Sequence, residues 1–144
     1  MLMTSSSHIS NSSTSKVLVI DDVADNFDLI QVILESEGYE LDYADSGQEA
    51  FKKIENEAPD VILLDIMMPE MDGFEVARRL RQNSRFSKIP ILFITAYDDI
   101  NPPAEGLDNL GNGLLKKPID FDELINQVQI ASSKHNSKNL SNSW

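Results

Sequence analysis

Three runs of four consecutive apolar residues constrain this chain more than any other feature: Val17-Leu18-Val19-Ile20, Val61-Ile62-Leu63-Leu64 and Ile91-Leu92-Phe93-Ile94. A strand with one face in water alternates apolar and polar residues, whereas an unbroken apolar run suits a strand buried on both faces. Such strands belong to a parallel sheet covered by helices on either side. Weaker strand candidates lie near 40–44 and 113–116.

Helical patterns separate these runs. Phe27, Ile30 and Leu34 recur at helical spacing, and Gly38 follows as a stop signal. Ser46 with Glu49, Asp72 with Glu75, and Asp120 with Glu123 each form a capping-box pattern ahead of an apolar stripe. Pro59 closes the second helix, and Pro102-Pro103 suits the opening of a shorter one. Five strands alternating with five helices predict an α/β fold, a doubly wound five-stranded parallel sheet in the flavodoxin-like order 2-1-3-4-5.

One domain is expected over 16–131, since 144 residues suffice for a single core. The flanking stretches 1–15 and 132–144 are rich in Ser, Thr and Asn and read as disordered polar tails, the second resembling a natural terminus. The absence of cysteine excludes a disulfide framework and thiolate metal sites. A net charge of −12 disfavours non-specific nucleic-acid binding. Neither a secretory signal nor 18 consecutive apolar residues occurs, so the expectation is a cytoplasmic protein without a membrane span. Arg78, Arg79, Arg81, Arg85 and Lys88 read as a solvated helix end.

In open α/β sheets, ligands gather at the carboxyl ends of the strands. Asp21-Asp22 follows the first run, Asp65 the third strand, Thr95 the fourth, and Lys117-Pro118 the fifth. The order 2-1-3-4-5 makes strands one and three neighbours, which brings three carboxylates together. Two charges ~5 Å apart at an effective dielectric of about 20 cost on the order of 3 kcal/mol, so such a cluster calls for a proton, a cation or a lysine. Mg²⁺ takes a few carboxylates, waters and a phosphate, while Lys117 and Thr95 supply a charge and a hydroxyl to phosphoryl oxygens. Any one of these residues alone would more often be a cap or turn former; their conjunction at four strand ends favours a metal–phosphate site.

This constellation resembles the receiver domain of two-component response regulators. The run Asp65-Ile66-Met67-Met68-Pro69-Glu70-Met71-Asp72-Gly73 is similar to the family's phosphorylation segment, and Val17–Asp22, Thr95-Ala96 and Lys117-Pro118 match its other signatures in order. The resemblance implies that Asp65 accepts a phosphoryl group from a sensor histidine kinase or a histidine phosphotransfer protein. It implies that Asp22, Asp65 and the Met67 backbone carbonyl ligate Mg²⁺, with Asp21 acting through water. Lys117 would pair with Asp65 and then with the phosphoryl group, Thr95 would act as the switch, and Lys117–Pro118 would be a cis peptide.

Two positions depart from the family pattern. Leu114 stands where an aromatic switch residue is common, which points to Tyr97 or the 102–110 helix as the signal carrier. Met67 and Tyr97 lack a group to orient water, which implies slow self-dephosphorylation. The expected output is protein–protein contact through the face of the fourth helix, fifth strand and fifth helix, with a homodimer compatible with it. The expected role is a phosphoacceptor rather than an enzyme. A Mg²⁺-dependent phosphohydrolase would need a second acid and a substrate pocket. A non-phosphorylated pseudo-receiver would have lost an acid or the lysine. A nucleotide-binding module would need a Gly-rich loop after the first strand.

Overall fold

The computed structural model describes residues 14–96 and 110–142, with side chains described as far as 133. The strands are β1 (Lys16–Ile20), β2 (Glu40–Ala44), β3 (Val61–Asp65), β4 (Ile91–Thr95) and β5 (Gly113–Lys116). They form one parallel sheet in the order β2-β1-β3-β4-β5. The helices are α1 (Ala24–Ser36), α2 (Gly47–Asn56), α3 (Gly73–Gln82) and α4 (Phe121–Asn142). The described residues thus hold four helices, not five; the helix expected at Pro102-Pro103 falls outside them, as does Tyr97.

The unbroken apolar runs are explained by the two layers they feed. Leu18, Ile20, Ile62, Leu64, Ile91 and Phe93 point to one face, where they meet Ala50 and Ile54 of α2 and Phe74, Ala77 and Leu80 of α3. Their alternates Val17, Val19, Val61, Leu63, Leu92 and Ile94 point to the other, against Ile30 and Leu34 of α1 and Leu124 and Val128 of α4. β3 and β4 are buried along their whole length. The edge strands β2 and β5 keep exposed or half-buried positions, which is why their sequences carry a weaker signal.

Three of the four helix starts match a predicted cap; α1 begins after Val23, which gives no side-chain cap. Ser46 Oγ accepts from Glu49 N–H at 3.2 Å, Asp72 Oδ1 from Glu75 N–H at 2.9 Å, and Asp120 Oδ1 from Glu123 N–H at 3.0 Å. Gly38 ends the first helical segment at φ +93°, a left-handed conformation that favours glycine. At the far end the structure departs from expectation: α4 continues to Asn142, eleven residues beyond Ala131. Helix propagation adds a hydrogen bond for each residue fixed once the costly nucleus exists, so the packed turns of α4 can carry a polar extension that has no apolar stripe of its own.

The basic cluster is also not a uniform solvated helix end. Arg78 and Arg79 both pair with Glu75, at 2.6 and 2.8 Å. Arg81 is half-buried and forks onto four neutral acceptors: the Leu110, Ser87 and Ile89 carbonyls, each at 2.9 Å, and Asn112 Oδ1 at 3.3 Å. It ties the end of α3 to the strand-connecting loops. Burial pushes its guanidinium below its ordinary range.

Candidate phosphoacceptor site

The switch point between β1 and β3 delivers the acids. Asp21 leaves β1 and Asp65 ends β3, and the two strands are hydrogen-bonded neighbours. Asp21, Asp22 and Asp65 each offer a carboxylate oxygen within 4.8 Å of the others. Asp21 and Asp65 are buried, while Asp22 is exposed. An all-carboxylate set with one exposed member suits a hard divalent cation that keeps water ligands.

Lys117 brings the compensating charge. Its Nζ lies 3.5 Å from Asp21 Oδ2 and 3.7 Å from Asp65 Oδ2, and it is more exposed than either acid. The peptide bond that follows it, Lys117–Pro118, is cis. The Lys117 backbone N–H donates to the Thr95 carbonyl at 2.8 Å, so the ends of β4 and β5 are tied at the site. Thr95 is buried at the end of β4, next to the end of β3.

Asp65 is held on one oxygen by the Met67 N–H, which donates to Oδ1 at 3.2 Å. Burial, then the negative charge of Asp21, push its carboxyl up to about 6, against the pull of Lys117 and the Met67 N–H. Without a cation a carboxyl at that level is half-protonated near pH 6 and mostly charged at neutrality, and a cation beside it favours the charged form further. Met67 is half-exposed next to it, and Leu114 packs partly buried against the α2/α3 face.

Two residues at the site escaped the sequence reading. Asn26, in the first turn of α1, donates from Nδ2 to Asp21 Oδ2 at 3.0 Å. Tyr43, on β2, donates its hydroxyl to the Asp21 carbonyl at 2.7 Å, its ring stacked obliquely on Phe27 with centroids 4.9 Å apart. The only advance signal was Asn26's place five residues after Asp21, which a neutral amide does not advertise. Gly73, the last residue of the quoted segment, is fixed by contact: a Cβ there would meet the Asp65 carbonyl oxygen at 2.5 Å and Ile66 Cα at 2.9 Å.

A groove of about 290 Å³ opens beside Lys117 between α1 and α4, lined in part by Asn26, Leu29, Ile33, Pro118 and Phe121. Leu29 and Phe121 are each about half exposed, at 51% and 47%.

The response regulator receiver domain family model matches residues 17–129. The chain is 34% identical over 122 residues to the transcriptional regulatory protein TrcR of Mycobacterium tuberculosis, covering 85% of this chain and 47% of that protein. It is 40% identical over 114 residues to the alkaline phosphatase synthesis transcriptional regulatory protein PhoP of Bacillus subtilis, covering 79% and 47%. The chain therefore spans about half the length of these curated relatives. Among solved structures, the chemotaxis protein CheY4 of Vibrio cholerae superposes with a TM-score of 0.75 at 32% identity, covering 82% of this chain and 98% of that one. A response regulator receiver domain protein of Methanospirillum hungatei gives 0.78 at 25% identity, covering 87% and 98%. With the sheet order, the acid cluster and the family match in agreement, the chain belongs to the response regulator receiver domains of two-component systems.

Proposed function

We propose that this chain is a phosphorelay receiver that accepts a phosphoryl group on Asp65 from a phosphohistidine, in a Mg²⁺-dependent reaction. The observation that carries the reading is Asp65 Oδ2 within 3.7 Å of the Lys117 ammonium, with two further carboxylates close by. A carboxylate oxygen of Asp65 attacks phosphorus, the phosphorus–nitrogen bond breaks, and its electron pair stays on the imidazole of the donor. Little covalent work falls to the protein, so rate comes from positioning and from neutralising phosphoryl oxygens.

Asp21, Asp22, Asp65 and the Met67 carbonyl would hold Mg²⁺, with Asp21 acting through water. Bound there, the ion supplies positive charge to the transferring oxygens and lowers the repulsion among the acids. Lys117 moves its charge to the phosphoryl group, and the Thr95 hydroxyl donates to another of its oxygens. Ordering those groups shifts the balance between two pre-existing conformations.

The donor is a sensor histidine kinase or a histidine phosphotransfer protein. The groove between α1 and α4 gives such a protein an apolar surface beside Lys117. The output is protein contact that depends on phosphorylation, on a face including β5 and α4. The chain acts as a phosphoacceptor in signalling rather than as an enzyme with turnover, in the cytoplasm.

Incubation with acetyl phosphate and Mg²⁺, followed by intact mass, tests the reading. Wild type is expected to gain one phosphoryl group and Asp65→Asn none. Absence of added mass on wild type overturns it.

A further inference from the structure

Asp21 is fully buried, and three donors serve its two carboxylate oxygens. Oδ1 accepts from the Val23 N–H at 2.9 Å. Oδ2 has two partners, the Asn26 amide at 3.0 Å and Lys117 Nζ at 3.5 Å. The second of these is the ammonium that also stands 3.7 Å from Asp65. On the proposed function, that ammonium must follow the phosphoryl oxygens as they arrive.

A lysine that was the sole partner of a buried carboxylate oxygen would be costly to remove, because the acid it left would be bare in a low dielectric. Asn26 removes that obstacle. Its side chain is neutral, so it leaves the charge of the acid cluster unchanged. It presents its NH₂, because a carboxylate oxygen only accepts hydrogen bonds. Its own backbone is anchored in the first turn of α1, where its N–H bonds to the Val23 carbonyl at 3.1 Å.

We propose that Asn26 is a positioning residue that keeps Asp21 Oδ2 satisfied while Lys117 passes from Asp21 to the phosphoryl group. The inference rests on the phosphoacceptor reading and concerns how Lys117 is released within that site. It separates two roles that a simple cap would merge: holding Asp21 in place, and allowing the lysine to leave it.

A double-mutant cycle on the full chain distinguishes these roles. Initial phosphorylation rates with acetyl phosphate at saturating Mg²⁺ are followed by intact mass for wild type, Asn26→Ala, Lys117→Met and the double variant, the slow proteins over hours. Asn26→Ala is expected to lower the maximal rate by roughly tenfold, the size of one lost hydrogen bond to a charged group, with little change in half-saturating donor concentration. Asn26→Gln, which can still donate to Oδ2, recovers part of that loss. In the Lys117→Met background the same alanine substitution is expected to change the rate by less than about twofold, since no lysine remains to be released. An equal fall in both backgrounds, or no fall in either, overturns the proposal. A melting temperature for Asn26→Ala within a few degrees of wild type sets unfolding aside. Absence of phosphoryl mass on wild type is a different failure, that of the phosphoacceptor reading itself.

Discussion

Replacing Asp65 with Asn keeps the shape of the side chain and removes its charge, so the variant reports what that charge costs the fold. Asp65 is pushed from an ordinary 3.8 up to about 6, first by burial and then by Asp21. The folded state therefore holds its proton over a range in which the unfolded chain has released it. For an acid raised in this way, stability falls as pH rises between the two values and stays lower above them. Each tenfold change in proton affinity is worth about 1.4 kcal/mol, so the gap amounts to on the order of 3 kcal/mol. Asn has no proton to lose and is spared that penalty. In a domain of this size about 3 °C of melting temperature accompanies each kcal/mol, so Asp65→Asn should melt ~10 °C above wild type near pH 7.5 in EDTA. The difference should fade toward about pH 4, and millimolar Mg²⁺ should narrow it at neutrality by favouring charged Asp65 in the wild type. Calorimetric melts at the two pH values, with and without Mg²⁺, measure all of this. Equal melting temperatures near neutrality in EDTA, or a gap that persists unchanged in acid, would refute the reasoning.

Two further substitutions probe how the site is framed. Gly73→Ala should lose ~2–4 kcal/mol in urea denaturation and phosphorylate poorly, because the new Cβ meets backbone of Asp65 and Ile66 that has no room to give; stability within about 0.5 kcal/mol of wild type would show that the backbone relaxes freely. Arg81→Lys should lose about 2 kcal/mol in the same assay, since an ammonium cannot reproduce the planar fork that reaches three carbonyls and Asn112 at once. An unchanged denaturation midpoint would mean that charge, not fork geometry, is what the loops require.

The fold was legible where burial is two-sided. β1, β3 and β4 announce themselves because every residue in the run faces one helical layer or the other. β2 and β5 lie at the edges, where solvent on part of the strand permits Asp42, Tyr43 and Lys116 and blurs the pattern. Asp21, Asp22, Asp65, Thr95 and Lys117 were legible because they stand at strand ends, where an open sheet places its ligands. Asn26 was not, since its part depends on which way a helix turn faces and its amide carries no charge. Arg81 was hidden for a related reason: sequence shows its basic neighbours, while its acceptors are backbone carbonyls, two in the segment just after its helix and one 29 residues on. The extent of α4 was missed because its last turns repeat no apolar stripe for a periodicity reading to follow.

The close approach at Gly73 has a mechanical side. The Gly73 N–H donates to the Ile66 carbonyl at 2.9 Å while its Cα leaves no space over Asp65. At the other end of the same helix, Arg81 is bolted to three carbonyls. α3 is thus clamped at both ends, one of them to the backbone of Ile66 and hard against that of Asp65. On the proposed phosphorylation switch, such a part is the stator: it sets the frame against which displacement is measured. The rotor must then be sought among parts without such clamps, and a probe placed on α3 is a fixed reference from which their travel can be read.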